Sequence, residues 1–159
     1  MFTIERLQTA DRPLLIGFIE ALQEYERTTT ADLLPGSEIC RDHADHLLST
    51  VAERDGLILL ARIGDETIGF ASAWIDQDDD PLLRPDARSH ALVSDIYVAE
   101  GWRRRGVGAS LLRRIETEMR RRGCRRIRIC AKATNRAALA CYAAAGYPPY
   151  EIIFSKAID

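Results

Sequence analysis

Three consecutive arginines run into a glycine-containing turn near the middle of the chain. Arg103, Arg104 and Arg105 precede Gly106-Val107-Gly108, where apolar residues begin to recur at helical spacing. The N-terminus of a helix presents backbone N–H groups without intrahelical partners and the positive end of the helix dipole. Guanidinium groups add charge-assisted hydrogen bonds. The junction therefore predicts a binding site for a phosphorylated ligand.

The spacing of the glycines distinguishes among three kinds of phosphate-binding turn. A Walker loop requires Gly-x-x-x-x-Gly-Lys-Ser/Thr, and no lysine lies near this turn. A dinucleotide fingerprint requires Gly-x-Gly-x-x-Gly, but Leu111 stands in place of the third glycine. The pattern Arg/Gln-x-x-Gly-x-Gly/Ala is satisfied by Arg103, Gly106 and Gly108. Glycines there permit positive φ and close approach of the backbone to a pyrophosphate, so we favour this third pattern.

The elements around the turn are predicted from periodicity and capping residues. Residues 91–98 form a strand, and a helix follows the turn and ends at Gly123. Residues 126–131 alternate as a strand, and Asn135 caps a short helix of small residues. The apolar face of the first helix consists of Val107, Leu111, Leu112, Ile115 and Met119. The strand–helix–strand unit should be a right-handed parallel crossover.

The remaining segments complete an α/β (α+β) sheet with helices on both faces, in a single domain of residues 1–159. The acidic, proline-containing stretch 76–86 is expected to be an irregular loop, either a solvated linker or a cation-attracting rim over a cleft. Strands are predicted at residues 2–7, 57–63, 67–74 and 150–156, and helices at residues 12–26 and 41–53.

Composition indicates an ordinary soluble protein. Of the 159 residues, 47% are hydrophobic and 29% charged, and no apolar run approaches the roughly 20 residues that span a bilayer. No secretory signal is seen, and the four cysteines include no Cys-x-x-Cys pair, so we expect a cytoplasmic protein with reduced thiols and no membrane partner. His43 and His46 have too few companion ligands for a metal site and are expected on a surface or in a cleft.

Charge is distributed unevenly along the chain. Residues 101–136 contain 13 of the 22 Lys and Arg residues but only two acids, for a net charge of +11, whereas the remainder carries −13. The basic segment could meet a polyanion, and the acidic remainder could attract a cationic substrate. Both regions could equally be solvated faces.

Two separated blocks resemble the GNAT superfamily of acyl-CoA-dependent N-acetyltransferases. The first is Asp95-Ile96-Tyr97-Val98 leading to the turn at residues 103–109. The second, residues 133–147, is similar to that family's Asn-x-x-Ala-x-x-x-Tyr-x-x-x-Gly-Phe/Tyr block, with Asn135 and Tyr142 at its polar positions. The resemblance implies a GNAT-like central mixed, mostly antiparallel sheet whose fourth and fifth strands splay apart around acetyl-CoA.

The resemblance also implies which residues contact the coenzyme. Backbone groups on the fourth strand would pair with the pantetheine arm, N–H groups of the turn would bind the pyrophosphate, and Tyr142 would lie beside the thioester sulfur. The coenzyme-binding residues implied are Ile96, Val98, Arg103, Arg104, Arg105, Gly106, Val107, Gly108, Ala109, Ser110, Asn135 and Tyr142. No metal is expected.

Transfer to an amine requires a polarised carbonyl, a proton donor for the thiolate and a base for the ammonium. The Val98 N–H serves the first role and Tyr142 the second. Many family members carry a glutamate where this chain has Leu92, which leaves Asp95 as the candidate base or as a carboxylate that orients a neighbouring loop. Tyr97 shares its strand face. A covalent route through Cys141 is disfavoured, because the helix turns that residue about 100° from Tyr142.

The sequence thus predicts an N-acetyltransferase that moves an acetyl group from acetyl-CoA to a primary amine of a small cationic molecule or a peptide N-terminus, by direct transfer in a ternary complex. Residues 12–54 should shape the acceptor site. A homodimer is possible, and no nucleic-acid partner is expected. The alternatives are a non-catalytic CoA-binding sensor and a basic nucleic-acid-binding module.

Overall fold

A five-stranded mixed sheet, with its strands in chain order, forms the centre of the computed structural model, which describes residues 1–158. The strands are β1 (Thr3–Arg6), β2 (Leu57–Ile63), β3 (Glu66–Gln77), β4 (Ser89–Val98) and β5 (Ile127–Ile129). Neighbours from β1 to β4 are antiparallel, and β5 joins β4 in parallel. The predicted mixed, mostly antiparallel sheet and the parallel pairing of β4 with β5 are therefore confirmed.

Helices cover both faces of this sheet. They are α1 (Arg12–Arg27), α2 (Gly36–Glu53), the single turn α3 (Pro85–Arg88), α4 (Val107–Arg121) and α5 (Arg136–Ala144). One apolar cluster lies under α4 and the other under α1 and α2, and β2 contributes alternate side chains to each. Burial on both faces explains why β2 reads as a continuous apolar run. Within residues 1–158, none of the helices has the length and apolar character to span a membrane.

Strand β4 contains a β-bulge in its pairing with β3. Ser72 lies opposite Asp95, whereas the next residue of β3, Ala73, lies opposite Val93. Ser94 is therefore the extra residue, and two positions of β4 face one position of β3. A bulge of this kind shifts the alternation of every side chain beyond it.

The bulge determines which side chains of β4 face α1 and α2. Leu92 packs in the cluster under α1 and α2, and so does Tyr97, five positions later. Ile96 and Val98 pack in the cluster under α4. In an unbroken strand Ile96 would share the face of Leu92, because side chains alternate with a period of two. The extra residue instead directs Asp95 and Tyr97 towards α1 and α2, on one face as the sequence predicted.

Strands β4 and β5 separate halfway along β4. Their pairing covers only Ala91, Leu92 and Val93, opposite residues 127–129. Within the described part of the chain, residues 94–98 have no strand partner on that edge. This is the splay predicted for the fourth and fifth strands, and it opens the sheet beside the bulge.

The predicted last strand at residues 150–156 is wrong. Residues 147–158 form neither helix nor strand, and the side chains of Ile153 and Phe154 are almost fully exposed. Alternation alone does not make a strand, because a strand requires an edge with which to pair. β5 offers an edge of three residues, and Pro148-Pro149 cannot donate ladder hydrogen bonds.

Two boundaries also differ from the sequence-based expectation. The stretch 76–86 is not wholly irregular, because β3 continues to Gln77 and α3 begins at Pro85. Helix α2 begins at Gly36 rather than near residue 41. The Gly36 N–H donates to Glu24 Oε1 at 2.6 Å, and a Cβ at this position would lie 2.7 Å from the Glu20 carbonyl oxygen. Contact with α1 therefore sets where α2 starts, and local sequence does not carry that information.

Gly69 allows β3 to approach the end of β4 that borders the splay. A Cβ on Gly69 would lie 2.6 Å from the Tyr97 carbonyl oxygen. We expect Gly69→Ala to lower the free energy of unfolding in urea by about 1–3 kcal/mol, because the strands must move apart. Gly17→Ala is the control, since Gly17 is exposed on α1 with nothing within 4 Å of a Cβ. It should stabilise the protein by about 0.5–1 kcal/mol, and equal effects of the two changes would contradict this account.

Candidate active site

A cleft of about 250 Å³ lies where β4 and β5 separate. Helices α1 and α2 form one wall, and the start of α4 with α5 forms another. The residues that line it are Ile19, Leu22, Gln23, Tyr25 and Glu26 of α1, Ile39 and His43 of α2, residues 94–98 of β4, and Arg103, Gly108, Cys130, Ala131, Asn135, Ala137, Ala138, Cys141 and Tyr142.

Backbone groups of β4 face this cleft. The Ala99 N–H donates to the Ile68 carbonyl of β3, and the Asp95 N–H donates to Ser72 Oγ of the same strand. Successive N–H groups of a strand point to opposite edges, so those of Ile96 and Val98 point away from β3 and towards the cleft. These are the two residues predicted to pair with an extended pantetheine arm.

The glycine turn presents the N-terminus of α4 without a cap. Gly106 has φ +80° and is the N-terminal flanking residue of the helix, and no side chain caps it. The N–H groups of the first turn, at Val107, Gly108 and Ala109, are therefore the free donors that the sequence predicted here. Arg104 also adopts a left-handed conformation, with φ +59°. Both residues curl the backbone around the helix terminus.

The three arginines of the turn differ in environment. Arg103 Nε donates to the Val98 carbonyl at 3.0 Å, and its guanidinium lies 4.3 Å from the centre of the Tyr25 ring in the cleft. Arg105 lies over the ring of Trp102 at 5.1 Å, and Arg104 is exposed. Arg104 and Arg105 thus remain beside the helix terminus, while Arg103 reaches from the turn into the cleft.

Some other arginines of the basic segment contact acidic side chains. Arg114 and Arg121 contact the buried Glu118, and Arg122 contacts Asp55. Ser110, which the sequence placed near the pyrophosphate, accepts a hydrogen bond from Arg113 at 2.8 Å through its hydroxyl. Glu118 is already counted in the net charge of +11, so within residues 1–158 only the contacts of Arg122 with Asp55 and of Arg128 with Asp78 offset part of that charge.

The acidic loop does not form a rim over the cleft. Asp76 lies opposite His90 at the start of β4. His90 precedes Asp95 by about five residues, which is roughly 16 Å along the strand. Asp76 also contacts Arg54, and Asp78 Oδ2 lies 3.0 Å from Arg128. None of residues 76–86 lines the cleft. The predicted cation-attracting role of this loop at the cleft is wrong, because β4 carries the loop to the far end of the sheet.

Helix α5 brings Asn135 and Tyr142 to the cleft. Asn135 Oδ1 accepts a hydrogen bond from the Ala138 N–H at 3.1 Å, which is the predicted cap. Burial raises the pKa of Tyr142 far above its usual range, so its hydroxyl stays protonated at physiological pH. Burial also raises the pKa of the Cys141 thiol. Because the thiolate is the nucleophilic form, this environment does not favour a covalent route through Cys141.

A carboxylate and an imidazole meet on the α1–α2 side. Asp95 Oδ1 lies 3.0 Å from His43 Nε2, and Asp95 Oδ2 accepts a hydrogen bond from Ser72 Oγ at 3.2 Å. Sequence reasoning placed His43 on a surface or in a cleft but did not find its partner. The two residues are 52 positions apart, so no spacing rule could have joined them.

Glu26 is a second carboxylate on the same side. Burial and the nearby charge of Asp95 both raise the pKa of Glu26, while Lys132 opposes them. Glu26 was not singled out from the sequence, because its place in α1 shows only helical periodicity. The cleft thus combines backbone donors at the glycine turn with two carboxylates, Glu26 on α1 and Asp95 on β4.

Residues 18–147 match the family model described as the acetyltransferase (GNAT) family. The chain belongs to this family. None of the curated proteins matches the sequence significantly. The predicted family and fold are therefore confirmed, whereas the individual site residues stay predictions.

Solved structures share this fold at low identity. A GCN5-related N-acetyltransferase from Ralstonia eutropha JMP134 is 22% identical over 99% of both chains, with a TM-score of 0.77. A predicted acetyltransferase from Clostridium acetobutylicum, solved with acetyl-CoA, is 15% identical over 99% of this chain and 96% of that one, with a TM-score of 0.76. AAC(6')-Iy, solved with the bisubstrate analogue CoA-S-monomethyl-acetylneamine, is 17% identical over 100% of this chain and 99% of that one, with a TM-score of 0.72.

The left-handed backbone at Gly106 generates a prediction about coenzyme binding. A side chain in this conformation costs about 1–2 kcal/mol, so Gly106→Ala should either destabilise the turn or rotate its N–H groups. We expect weaker binding of acetyl-CoA, measured by isothermal titration calorimetry. Gly101→Ala is the control, because Gly101 lies in the same loop, has no positive φ and has nothing within 4 Å of a Cβ. If both variants bind acetyl-CoA as the wild type does, the turn is not the anion site.

Proposed function

We propose that this GNAT protein transfers an acetyl group from acetyl-CoA to a primary amine of a small cationic molecule or a peptide N-terminus. The observation that carries the proposal is the cleft between β4 and β5, bordered by the uncapped helix at the glycine turn and by two carboxylates on α1 and β4. An anionic coenzyme and a cationic acceptor require these opposite environments in one cleft.

Acetyl-CoA would enter along the free edge of β4. The N–H groups of Ile96 and Val98 would pair with the pantetheine arm, and those of residues 104–109 would bind the pyrophosphate. Arg104, Arg105 and the Ser110 hydroxyl lie beside the same helix terminus, and Asn135 lines the cleft at the start of α5. The Val98 carbonyl is already bonded to Arg103, so this arginine would fix the strand end rather than the phosphates.

Direct transfer requires three groups around the thioester. The Val98 N–H would polarise the carbonyl oxygen, and Tyr142 would donate its proton to the departing thiolate. Asp95 is the predicted proton acceptor of the strand. A tyrosine hydroxyl is protonated throughout the physiological pH range at its ordinary pKa of about 10, and burial raises the pKa of Tyr142 further.

A cationic acceptor is supported by the α1–α2 wall. Glu26 and Asp95 lie close enough for the charge of Asp95 to raise the pKa of Glu26, and an ammonium placed between them would relieve that repulsion. Among the structurally similar proteins, AAC(6')-Iy is an aminoglycoside N-acetyltransferase, and so is a soil metagenomic protein at 19% identity. Aminoglycosides therefore belong among the acceptors to be tested.

The proposal predicts acetyl-CoA-dependent acetylation of at least one cationic amine in a panel of polyamines, aminoglycosides, amino acids and peptide N-termini. The acetylated product should be measured by mass, because the exposed Cys130 would react with a thiol reagent and obscure the released CoA. A neutral hydroxyl analogue of each acceptor is the control. Folded protein that binds acetyl-CoA but acetylates no amine would favour a non-catalytic sensor.

Tyr142→Phe removes the proposed proton donor and leaves the ring in place. We expect kcat to fall by about 10²-fold or more with little change in acetyl-CoA affinity. Tyr147→Phe is the matched control, because Tyr147 donates to Glu116 at 2.8 Å and does not line the cleft. Turnover by Tyr142→Phe at the wild-type rate would remove the acid role of Tyr142.

A further inference from the structure

His43 and Asp95 form a pair whose members differ in accessibility. The side chain of Asp95 is 10% exposed, whereas that of His43 is 34% exposed, and both line the cleft. Both carboxylate oxygens of Asp95 are engaged, one by His43 and one by Ser72, whose side chain is fully buried. A substrate amine entering the cleft would therefore meet the imidazole more readily than the carboxylate.

The contact determines which ring nitrogen can accept a proton. An ionised carboxylate only accepts hydrogen bonds, so Nε2 of His43 carries the hydrogen that lies between the two groups. The lone pair of the neutral ring is then on Nδ1. A carboxylate that holds one imidazole nitrogen fixes the tautomer and stabilises the imidazolium that forms when the other nitrogen takes a proton.

The backbone holds both partners in place. Asp95 follows the bulge at Ser94, and its N–H donates to Ser72 Oγ at 3.2 Å. His43 lies on α2 next to Ala44, which is buried against the sheet, and α2 is seated on α1 at Gly36. The separation of the two side chains is thus set by packed elements rather than by mobile loops.

Other charged and titratable groups line the cleft that contains the imidazole. Asp95 and Tyr97 line it from β4, Glu26 and Tyr25 from α1, and Tyr142 from α5. Arg103 lines the same cleft over the Tyr25 ring, and the charge of Lys132 acts on Glu26. His46 lies on the same helix, with its ring centre 6.1 Å from that of His43. The hydrogen bond to Asp95 raises the pKa of His43, and burial partly opposes it.

We infer that His43 is the group that takes the proton from the acceptor ammonium, and that Asp95 is its positioning residue. The inference rests on the proposed acetyl transfer. It also revises the sequence-based role of Asp95, because imidazole is a stronger base than a carboxylate near neutral pH. Leu92 occupies the strand position where many family members have a glutamate, and His43 supplies a base from α2 instead.

The proposed transfer conserves atoms and charge. The ammonium loses one proton to Nδ1 of His43, and the neutral amine nitrogen forms a bond to the thioester carbon. The carbon–sulfur bond breaks, and the thiolate takes the proton of Tyr142. The proton that nitrogen loses as the amide forms restores Tyr142, and His43 releases its proton to water. One ammonium and one acetyl-CoA become one amide, one CoA thiol and one free proton.

The test compares pH–rate profiles of kcat/KM for His43→Gln, Asp95→Asn and His46→Gln on an amine that the wild type acetylates. A base must be unprotonated to act, so the wild-type rate should rise with pH through the raised pKa of His43, above the ordinary value of about 6.5. His43→Gln should lose about 10²-fold in kcat/KM, and the rising limb of its pH–rate profile should disappear. Asp95→Asn should move the limb to lower pH, because the carboxylate that raises the pKa is gone. His46→Gln, an exposed neighbour outside the cleft, should match the wild type.

Two further measurements separate catalysis from folding. Acetyl-CoA affinity and the unfolding midpoint should be nearly unchanged in His43→Gln, and NMR titration of the His43 ring should show its pKa fall in Asp95→Asn. If His43→Gln keeps the rate and the limb while the wild type is active, the inference is wrong and the proposed function stands. An unshifted limb in Asp95→Asn would remove the positioning role. If the wild type acetylates no amine, the proposed function is wrong, and the inference is wrong with it.

Discussion

The single extra residue of β4, Ser94, is the constraint on which the cleft depends. It shifts the alternation of the strand, so that Asp95 and Tyr97 face α1 and α2 while Ile96 and Val98 face α4. The pairing of β4 with β5 ends one residue before the bulge. The free strand edge and the redirected side chains therefore occur at the same place, and backbone donors and a carboxylate border one opening.

The two walls of the cleft favour ligands of opposite charge, and they do so through different groups. On the α4 side, attraction for anions comes from the uncapped first turn of the helix and from arginines beside it. On the α1–α2 side, it is side-chain carboxylates that favour a cation. Because these attractions arise at particular helix ends and side chains, the net charge of a sequence segment does not show where an anion or a cation would bind. Some arginines of the basic segment lie in ion pairs, and the acidic loop lies at the far end of β4.

Most of the strands and helices could be predicted from periodicity, but elements that depend on a partner could not. The start of α2 is set by contact with Glu20 and Glu24 of α1. Gly36 by itself does not predict the start of a helix. Residues 150–156 alternate as a strand does, yet β5 gives them too short an edge. Periodicity in the sequence indicates which secondary structure a segment can adopt. Whether the segment adopts it depends on a neighbouring element with which it can pair or pack.

The sequence by itself determined the features that arise from contacts within a few residues. The left-handed turn at Gly106, the cap from Asn135 to Ala138 and the apolar face of α4 all follow from local chemistry. The register of β4 on β3 is a long-range property, and only the tertiary structure decided it. It places Asp95 against His43, 52 residues away, because one unpaired residue reverses the direction of a side chain.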